Sequence, residues 1–350
     1  MKKRKKILFF DSTLRDGSHA ISHQLKASQI KQYCKYADQA GLDTIIVGHG
    51  NGLSASSLQV GLSALSDTEM IVTARKNLKA TKLGVFLIPG FGTIKDDIAP
   101  AIDQGVDLVC VASHCTEADI TRQHIEYVRK RGKAAYGVLM MQHMASAERL
   151  SEEVHKMQDY GALGVILMDS AGASYPEMVS ERVSLLVKNL DCQIGFHAHN
   201  NLGLAIANSY SAICAGATII DGTVRGFGAG AGNCQIEVLA GLLYKLGIKT
   251  GLDLYKLMDV GDEVVAKLSD KSQGVSSVSL ISGIAGVFSG FSKHVEKAAK
   301  RFGVDPRDIF IELGKRKIVA GQEDRIVDVA MYLAQKKTGQ KDSYQIESLS

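Results

Sequence analysis

Three side chains in this sequence have the types and spacing to hold a divalent cation. Gly195-Phe-His-Ala-His-Asn200 sets two imidazoles two residues apart. In a strand, residues i and i+2 project to the same side, whereas a helix would splay them. His197 and His199 would then stand together at the end of an extended segment, and paired imidazoles suit a divalent cation. Taken alone, the pair fits two hydrogen-bonded polar residues at a strand end equally well. A third ligand comes from Asp11-Ser-Thr-Leu-Arg-Asp-Gly-Ser-His19, which follows the apolar run Ile7–Phe10 and carries Asp16. One carboxylate and two imidazoles leave coordination positions open for water or substrate.

Asp16 is 181 and 183 positions from the two histidines, so the elements around them must bring them together. Eight strand-like runs occur: Ile7–Asp11, Thr44–Gly48, Leu83–Ile88, Leu108–Ser113, Ala134–Met141, Gly164–Asp169, Gln193–His199 and Thr218–Val224. Most are continuously apolar, as parallel strands buried on both faces are. Helical patterns lie between them, among them Ala27–Ala40, Glu117–Arg131, Ala147–Tyr160, Glu177–Leu190 and Leu202–Ala215, and several end at a glycine such as Gly41, Gly132 or Gly216. The order strand-then-helix repeated eight times predicts an α/β (β/α)8 TIM barrel; an open doubly wound sheet has the same periodicity. In a closed ring the first and seventh strands are separated only by the eighth, so Asp16 reaches the two histidines at the C-terminal face.

The eighth helix, Glu237–Leu246, closes the barrel. The expected organisation is a barrel over residues 1–248, a helical C-terminal domain over 249–335 and a disordered tail over 336–350. Helices are expected at Leu252–Leu268, Gly286–Phe302, Pro306–Leu313 and Asp324–Gln335.

With 350 residues the chain can bury a large core without disulfides. Its net charge is only +4, and much of the excess sits in Met1-Lys-Lys-Arg-Lys-Lys6. No other basic block or interleaved aromatics accompany that run, which argues for a solvated extension and against nucleic-acid binding. No run approaches the ~20 apolar residues of a membrane span, and no signal-peptide core follows the basic start. The six cysteines form no Cys-x-x-Cys pair. Their placement in apolar runs fits core residues in a reducing cytoplasm.

Thr13-Leu-Arg-Asp-Gly17 together with His197-x-His199 resembles the metallolyase TIM-barrel superfamily of isopropylmalate synthase, hydroxymethylglutaryl-CoA lyase and 4-hydroxy-2-oxovalerate aldolase. Within it the aldolase is most similar, through Thr13–Ala20, His49-Gly-Asn-Gly-Leu53, His114–Asp119, Gly226–Asn233 and Gly321–Ala330. The likeness spans about residues 7–333. It implies cleavage of a 4-hydroxy-2-oxo acid to pyruvate and an aldehyde, with manganese the expected metal and cobalt, zinc or magnesium alternatives. It further implies Asp16, His197 and His199 as ligands, Arg15 steadying the developing oxyanion and His19 as general base. Ser170 and Phe288 join Arg15, Asp16 and His197 around the substrate. A salt bridge remains the alternative for Arg15, and a turn or helix cap for Ser170. Asn233 either reaches the metal or caps a turn; His49, His114 and His143 are candidates just outside. The resemblance implies a partner too, an acylating acetaldehyde dehydrogenase.

Two other readings compete. A Claisen-type synthase or lyase using an acyl-CoA is disfavoured, because the Gly226–Asn233 loop lacks both the reactive cysteine and the Glu-Arg pair of those relatives; Cys234 just after it reads as structural. A non-catalytic metal-binding partner of a dehydrogenase is disfavoured by the retained Arg15, Asp16 and His19. Three departures stand out: Phe288 where the family has tyrosine, Ile46 where it has glutamate, and Asn200 where another histidine is usual. They predict a more apolar substrate pocket.

Overall fold

The computed structural model describes residues 6–269 and 273–337. Eight parallel strands close into one barrel in sequence order: β1 (Leu8–Asp11), β2 (Thr44–Ile46), β3 (Lys82–Leu87), β4 (Leu108–His114), β5 (Ala134–Met140), β6 (Gly164–Asp169), β7 (Gln193–Ala198) and β8 (Ile219–Gly222). Closure is made by β1 on β8, with Leu8 opposite Ile219 and Asp11 opposite Gly222. Closing the sheet removes the exposed edges that an open sheet must protect.

Alternation along the strands divides the core in two. One set of side chains, including Phe10, Ile46, Phe86, Cys110, Val138, Ile166 and Ile219, fills the barrel interior. The other set faces the surrounding helices: α1 (Ala27–Ala37), α2 (Asp67–Asn77), α3 (Ala99–Asp103), α4 (Arg122–Lys130), α5 (Ala147–Asp159), α6 (Pro176–Asn189), α7 (Ala205–Cys214) and α8 (Ile236–Lys245). This filled interior leaves only the C-terminal mouth for chemistry.

Beyond α8, helix α9 (Leu254–Glu263) lies on α1 and α8, with Asp253 N–H donating to Ala40 O at 3.0 Å. Four more helices follow: α10 (Ser277–Ala285), α11 (Ser292–Phe302), α12 (Pro306–Lys315) and α13 (Asp324–Lys337). They bury their own core of Phe291, Val295, Ile309, Phe310, Leu313, Ile326 and Val329.

Two expected elements differ. The helix expected over Gly286–Phe302 starts only at Ser292, after a short turn at Ser289–Phe291, and α10 before it was not expected. Ser276 and Ser279 form a capping box that starts α10, and Gly286, at φ 65°, ends it in a left-handed cap. The apolar run Val287, Phe288, Phe291 and Val295 extends the helical pattern back to Gly286, which is why the sequence reads as helix from there. The seventh strand stops at Ala198, and His199 makes one isolated bridge to Asn233 as the chain turns to meet the Gly226–Asn233 loop. From residue 338 onward the expected tail lies outside the described residues, as do residues 1–5 of the basic start. No helix among the described residues is long and apolar enough to cross a membrane. All six cysteines are free.

Candidate active site

The turn after β1 and the end of β7 deliver the three ligand candidates to one point. Asp16, His197 and His199 each offer one atom, and those atoms lie within 4.8 Å of one another. All three residues are 4% exposed or less. The spacing argument therefore holds beyond the last strand residue, for the two imidazole centroids are 5.1 Å apart.

His197 and Asp16 are held from behind. His197 Nδ1 donates to Asp221 Oδ2 at 2.8 Å, and Ser12 Oγ donates to Asp221 Oδ1 at 2.7 Å. This fixes the tautomer that leaves His197 Nε2 bare. Asp16 Oδ1 accepts from Arg15 at 3.0 Å, and its Oδ2 accepts from Asn233 Nδ2 at 2.6 Å and from Ala229 N–H at 3.3 Å. Burial pushes the Asp16 carboxyl up, but the electrostatic pull of the neighbouring His199 and Arg15 outweighs it and holds Asp16 well below the usual range. Burial likewise lowers His199 to about 4, against the pull of Asp16, so its ring is neutral near pH 7.

Three buried atoms here have no hydrogen-bond partner: His197 Nε2, His199 Nδ1 and Asn233 Oδ1. A buried polar atom left unpaired costs about 1–3 kcal/mol. A neutral imidazole nitrogen and an amide oxygen are electron-pair donors, so a divalent cation satisfies them together with Asp16. The residues fit the metal.

Arg15 is buried among acids and an aromatic. Its guanidinium lies 4.5 Å from the centroid of Phe86, reaches Gly50 O at 3.1 Å and comes within 3.9 Å of Asp221. Its Nε is buried and unpartnered. Ser170 is fully buried at the end of β6, and its Oγ accepts the Met141 N–H at 3.1 Å. It is not a helix cap, because Tyr175 occupies that place before α6. His19 is half-buried beside a cavity of about 290 Å³ that Ala229, Ser289 and Lys293 also line. Burial lowers its ring to about 3, with Asp16 opposing, which keeps it neutral near pH 7. Phe288 packs between the barrel interior and the C-terminal core, and it shares a small cavity with His19, His23 and Asn51.

Residues 6–264 match the HMGL-like family, and residues 273–335 match the DmpG-like communication domain. Over 326 residues the chain is 56% identical to the 4-hydroxy-2-oxovalerate aldolase of Spirochaeta aurantia, covering 93% of this chain and 96% of that one. The chain belongs to the 4-hydroxy-2-oxovalerate aldolase family. The family member of Pectobacterium atrosepticum is 53% identical over 95% of this chain and 97% of its own. Membership makes the protein an aldolase, a carbon–carbon lyase. Among solved structures, the carboxyl transferase domain of Rhizobium etli pyruvate carboxylase superimposes with a TM-score of 0.79 at 15% identity, over 95% of this chain and 60% of that one. The chain thus spans less than two thirds of that structure, and the likeness concerns the fold. The N-terminal domain of an aldolase-like protein from Bacteroides vulgatus gives 0.70 at 22% identity, over 85% and 98%.

Within this aldolase fold, sequence reasoning missed Asp221, which supports His197, and Lys293, which reaches His19. An acid ending an apolar strand, Ile219-Ile-Asp221, was the available signal for the first. His49 stands beneath His19, with the ring centroids 6.4 Å apart. His143 bonds Gly286 O at 3.1 Å and His114 bonds Thr116, so both serve the frame around the mouth. Cys234 is fully buried, its thiol pushed up to about 12 by burial, which fits a structural residue.

Proposed function

We propose that this aldolase cleaves a 4-hydroxy-2-oxo acid to pyruvate and an aldehyde, with 4-hydroxy-2-oxovalerate giving pyruvate and acetaldehyde as the first substrate to test. The observation that carries this reading is the convergence of Asp16 with the unpartnered nitrogens of His197 and His199 beside Arg15. Asp16, His197 and His199 would hold the cation, with Asn233 Oδ1 near enough to the set to share in it. When bound, a divalent cation supplies Lewis-acid stabilisation of negative charge at the 2-oxo oxygen. Manganese is our choice, and cobalt, zinc and magnesium are the ions to compare.

The protein residues divide the remaining work. His19 accepts the C4 hydroxyl proton at a ring nitrogen as the C3–C4 bond breaks. The bond electrons move toward C2, and charge grows on the 2-oxo oxygen. Arg15 meets that charge with a guanidinium already fixed by Asp16, Gly50 and Phe86, so no reorganisation is needed during the step. Ser170 has its oxygen engaged by Met141, which leaves the hydroxyl proton to donate to the substrate. A proton from solvent water at C3 completes pyruvate, and His19 gives up its proton to solvent. Phe288 makes the surroundings of His19 more apolar, which favours an aldehyde with an alkyl chain, whereas Ile46 is buried in the barrel interior.

The test is a pyruvate-release assay with 4-hydroxy-2-oxo acids of increasing chain length, each with several metals. We expect metal-dependent release that is greatest with an alkyl-bearing substrate. Absence of metal-dependent pyruvate from every substrate would sink the reading. We further propose an acylating acetaldehyde dehydrogenase as partner, supported by the match of residues 273–335 to the communication domain. Co-purification checks it; two proteins that stay separate at micromolar concentration exclude it. Free cysteines suit a reducing compartment, and we assign the enzyme to the cytoplasm.

A further inference from the structure

The segment that carries the base is bent against its own preferences. After the tight turn Asp16–Ile21, Ser22 and His23 both take positive φ, 53° and 63°. Neither is a glycine, and two successive left-handed residues persist only where neighbours over-determine them. Those neighbours are identifiable. His23 N–H donates to Ser18 O at 2.7 Å, and His23 Nδ1 lies 3.0 Å from Ser18 Oγ. The His23 ring stacks on His49 with centroids 3.7 Å apart. His49 is fixed in turn by Gly61 O at 3.1 Å and Asn51 N–H at 3.0 Å. The His19 ring meets the edge of His23 at 4.8 Å and lies over Gly50, where a Cβ would fall 2.2 Å from His19 Nε2. The barrel loops therefore box the base on one side.

The other side is closed by a single cation from another domain. Lys293 on α11 donates from Nζ to His19 O at 2.6 Å and to Ser22 Oγ at 2.7 Å. The same His19 carbonyl accepts the Ser22 N–H at 3.2 Å. One ammonium group thus clamps both ends of the left-handed turn. Lys293 is on the surface, where a single charged contact adds little to global stability. Its geometric effect is local, because it fixes the carbonyl of the residue whose ring must meet the C4 hydroxyl.

We propose that Lys293 is a positioning residue for proton transfer at His19, so that the C-terminal domain sets where the base stands. This rests on the reading of His19 as the base. Small displacements of a base matter, for a misplacement of ~1 Å can cost about a hundredfold in rate.

The test separates two partial reactions of the metal-loaded, full-length enzyme. Pyruvate release requires removal of the C4 hydroxyl proton. Exchange of the pyruvate methyl protons with deuterium oxide involves no C4 hydroxyl, and it reports on the metal and Arg15 side. Lys293→Met is expected to lower kcat for release about tenfold, with KM and exchange changed by less than about twofold. Lys293→Gln, which also removes the charge, gives the same split should the methionine variant be insoluble. Lys293→Arg, which keeps a charged donor, recovers most of the rate. A kcat within about twofold of the unaltered enzyme for both uncharged variants overturns the proposal, as does an equal fall in exchange. His19→Ala is run alongside. Full release by His19→Ala overturns the assignment of the base, whereas a dead His19→Ala beside fully active Lys293 variants overturns only the role of Lys293.

Discussion

The metal side of the mouth is built from the barrel alone, whereas the base side is assembled from loops and helices of the C-terminal domain. On the first side Asp16, His197 and His199 lie on or next to strand ends and are almost fully buried. Asp16 and His197 have partners within the barrel, and Asp221 on β8 ties His197, Ser12 and Arg15 together. On the second side His19 is half-buried, its turn has an unfavourable backbone, and a surface lysine closes it. On the proposed reading, the end shared by every 4-hydroxy-2-oxo acid would meet a rigid site, and the end that varies would meet an adjustable one. Phe288, the departure from the family that faces the mouth, falls on the adjustable side. Ile46 lies deeper, packed with Phe10 and Phe86 in the barrel interior beneath Arg15.

Removing a ligand should break the rigid side outright. Asp16→Asn keeps the shape but takes away the charge that binds the cation and pairs with Arg15. Pyruvate release is expected to fall about a thousandfold or more, since Lewis-acid stabilisation is worth several kcal/mol. Proton exchange into pyruvate should fall with it, which distinguishes this variant from any change at His19. Retained exchange would show that the cation binds elsewhere. Bound metal counted after gel filtration checks the same point without activity.

A smaller effect belongs to the residue behind the ligand. Asp221→Asn leaves all three ligands but loses the carboxylate that orients His197. Metal affinity is expected to weaken about 10- to 100-fold, the usual cost of removing such a support. Excess metal should restore most of the release rate. A titration that superimposes on that of the unaltered enzyme would mean that Ser12 and Arg15 hold the ring region without Asp221.

The same division decides what the sequence could reveal. The barrel was legible because eight apolar runs alternate with amphipathic ones, and each expected run overlaps its strand. The grouping of the three ligand candidates was legible because His197 and His199 share a strand period and Asp16 follows a strand. Asp221 was missed because its partners come from two other strand ends, those of β1 and β7, a closeness that only ring closure creates. Lys293 was missed for a stronger reason. It is 274 positions from His19, and nothing in a surface helix marks one lysine as reaching across. The start of α11 was placed too early because the apolar pattern extends back to Gly286, and α10 was missed although Gly286 and the serine pair at Ser276 and Ser279 were signals of a cap and a start.

The gentlest variant sharpens the comparison most. Phe288→Tyr adds one hydroxyl to a half-buried ring that packs edge-on against Phe291 at 5.5 Å. The ring borders a cavity of about 40 Å³ shared with His19, His23 and Asn51, where the hydroxyl can find a polar partner. Stability should therefore change by no more than about 1 kcal/mol, the net worth of one hydrogen bond. The rate with the better C4 enantiomer should move by no more than about threefold, since the metal side is untouched. What should change is discrimination. A donor beside His19 gives the C4 hydroxyl a second fixed contact, and the enantiomer that cannot use it leaves that hydroxyl unpaired in an otherwise apolar pocket. With racemic 4-hydroxy-2-oxovalerate, the tyrosine variant is expected to stop closer to half conversion than the unaltered enzyme does. An unchanged end point would mean that Phe288 does not face C4, and the adjustable side would then have to be sought around Ile46 and Phe86.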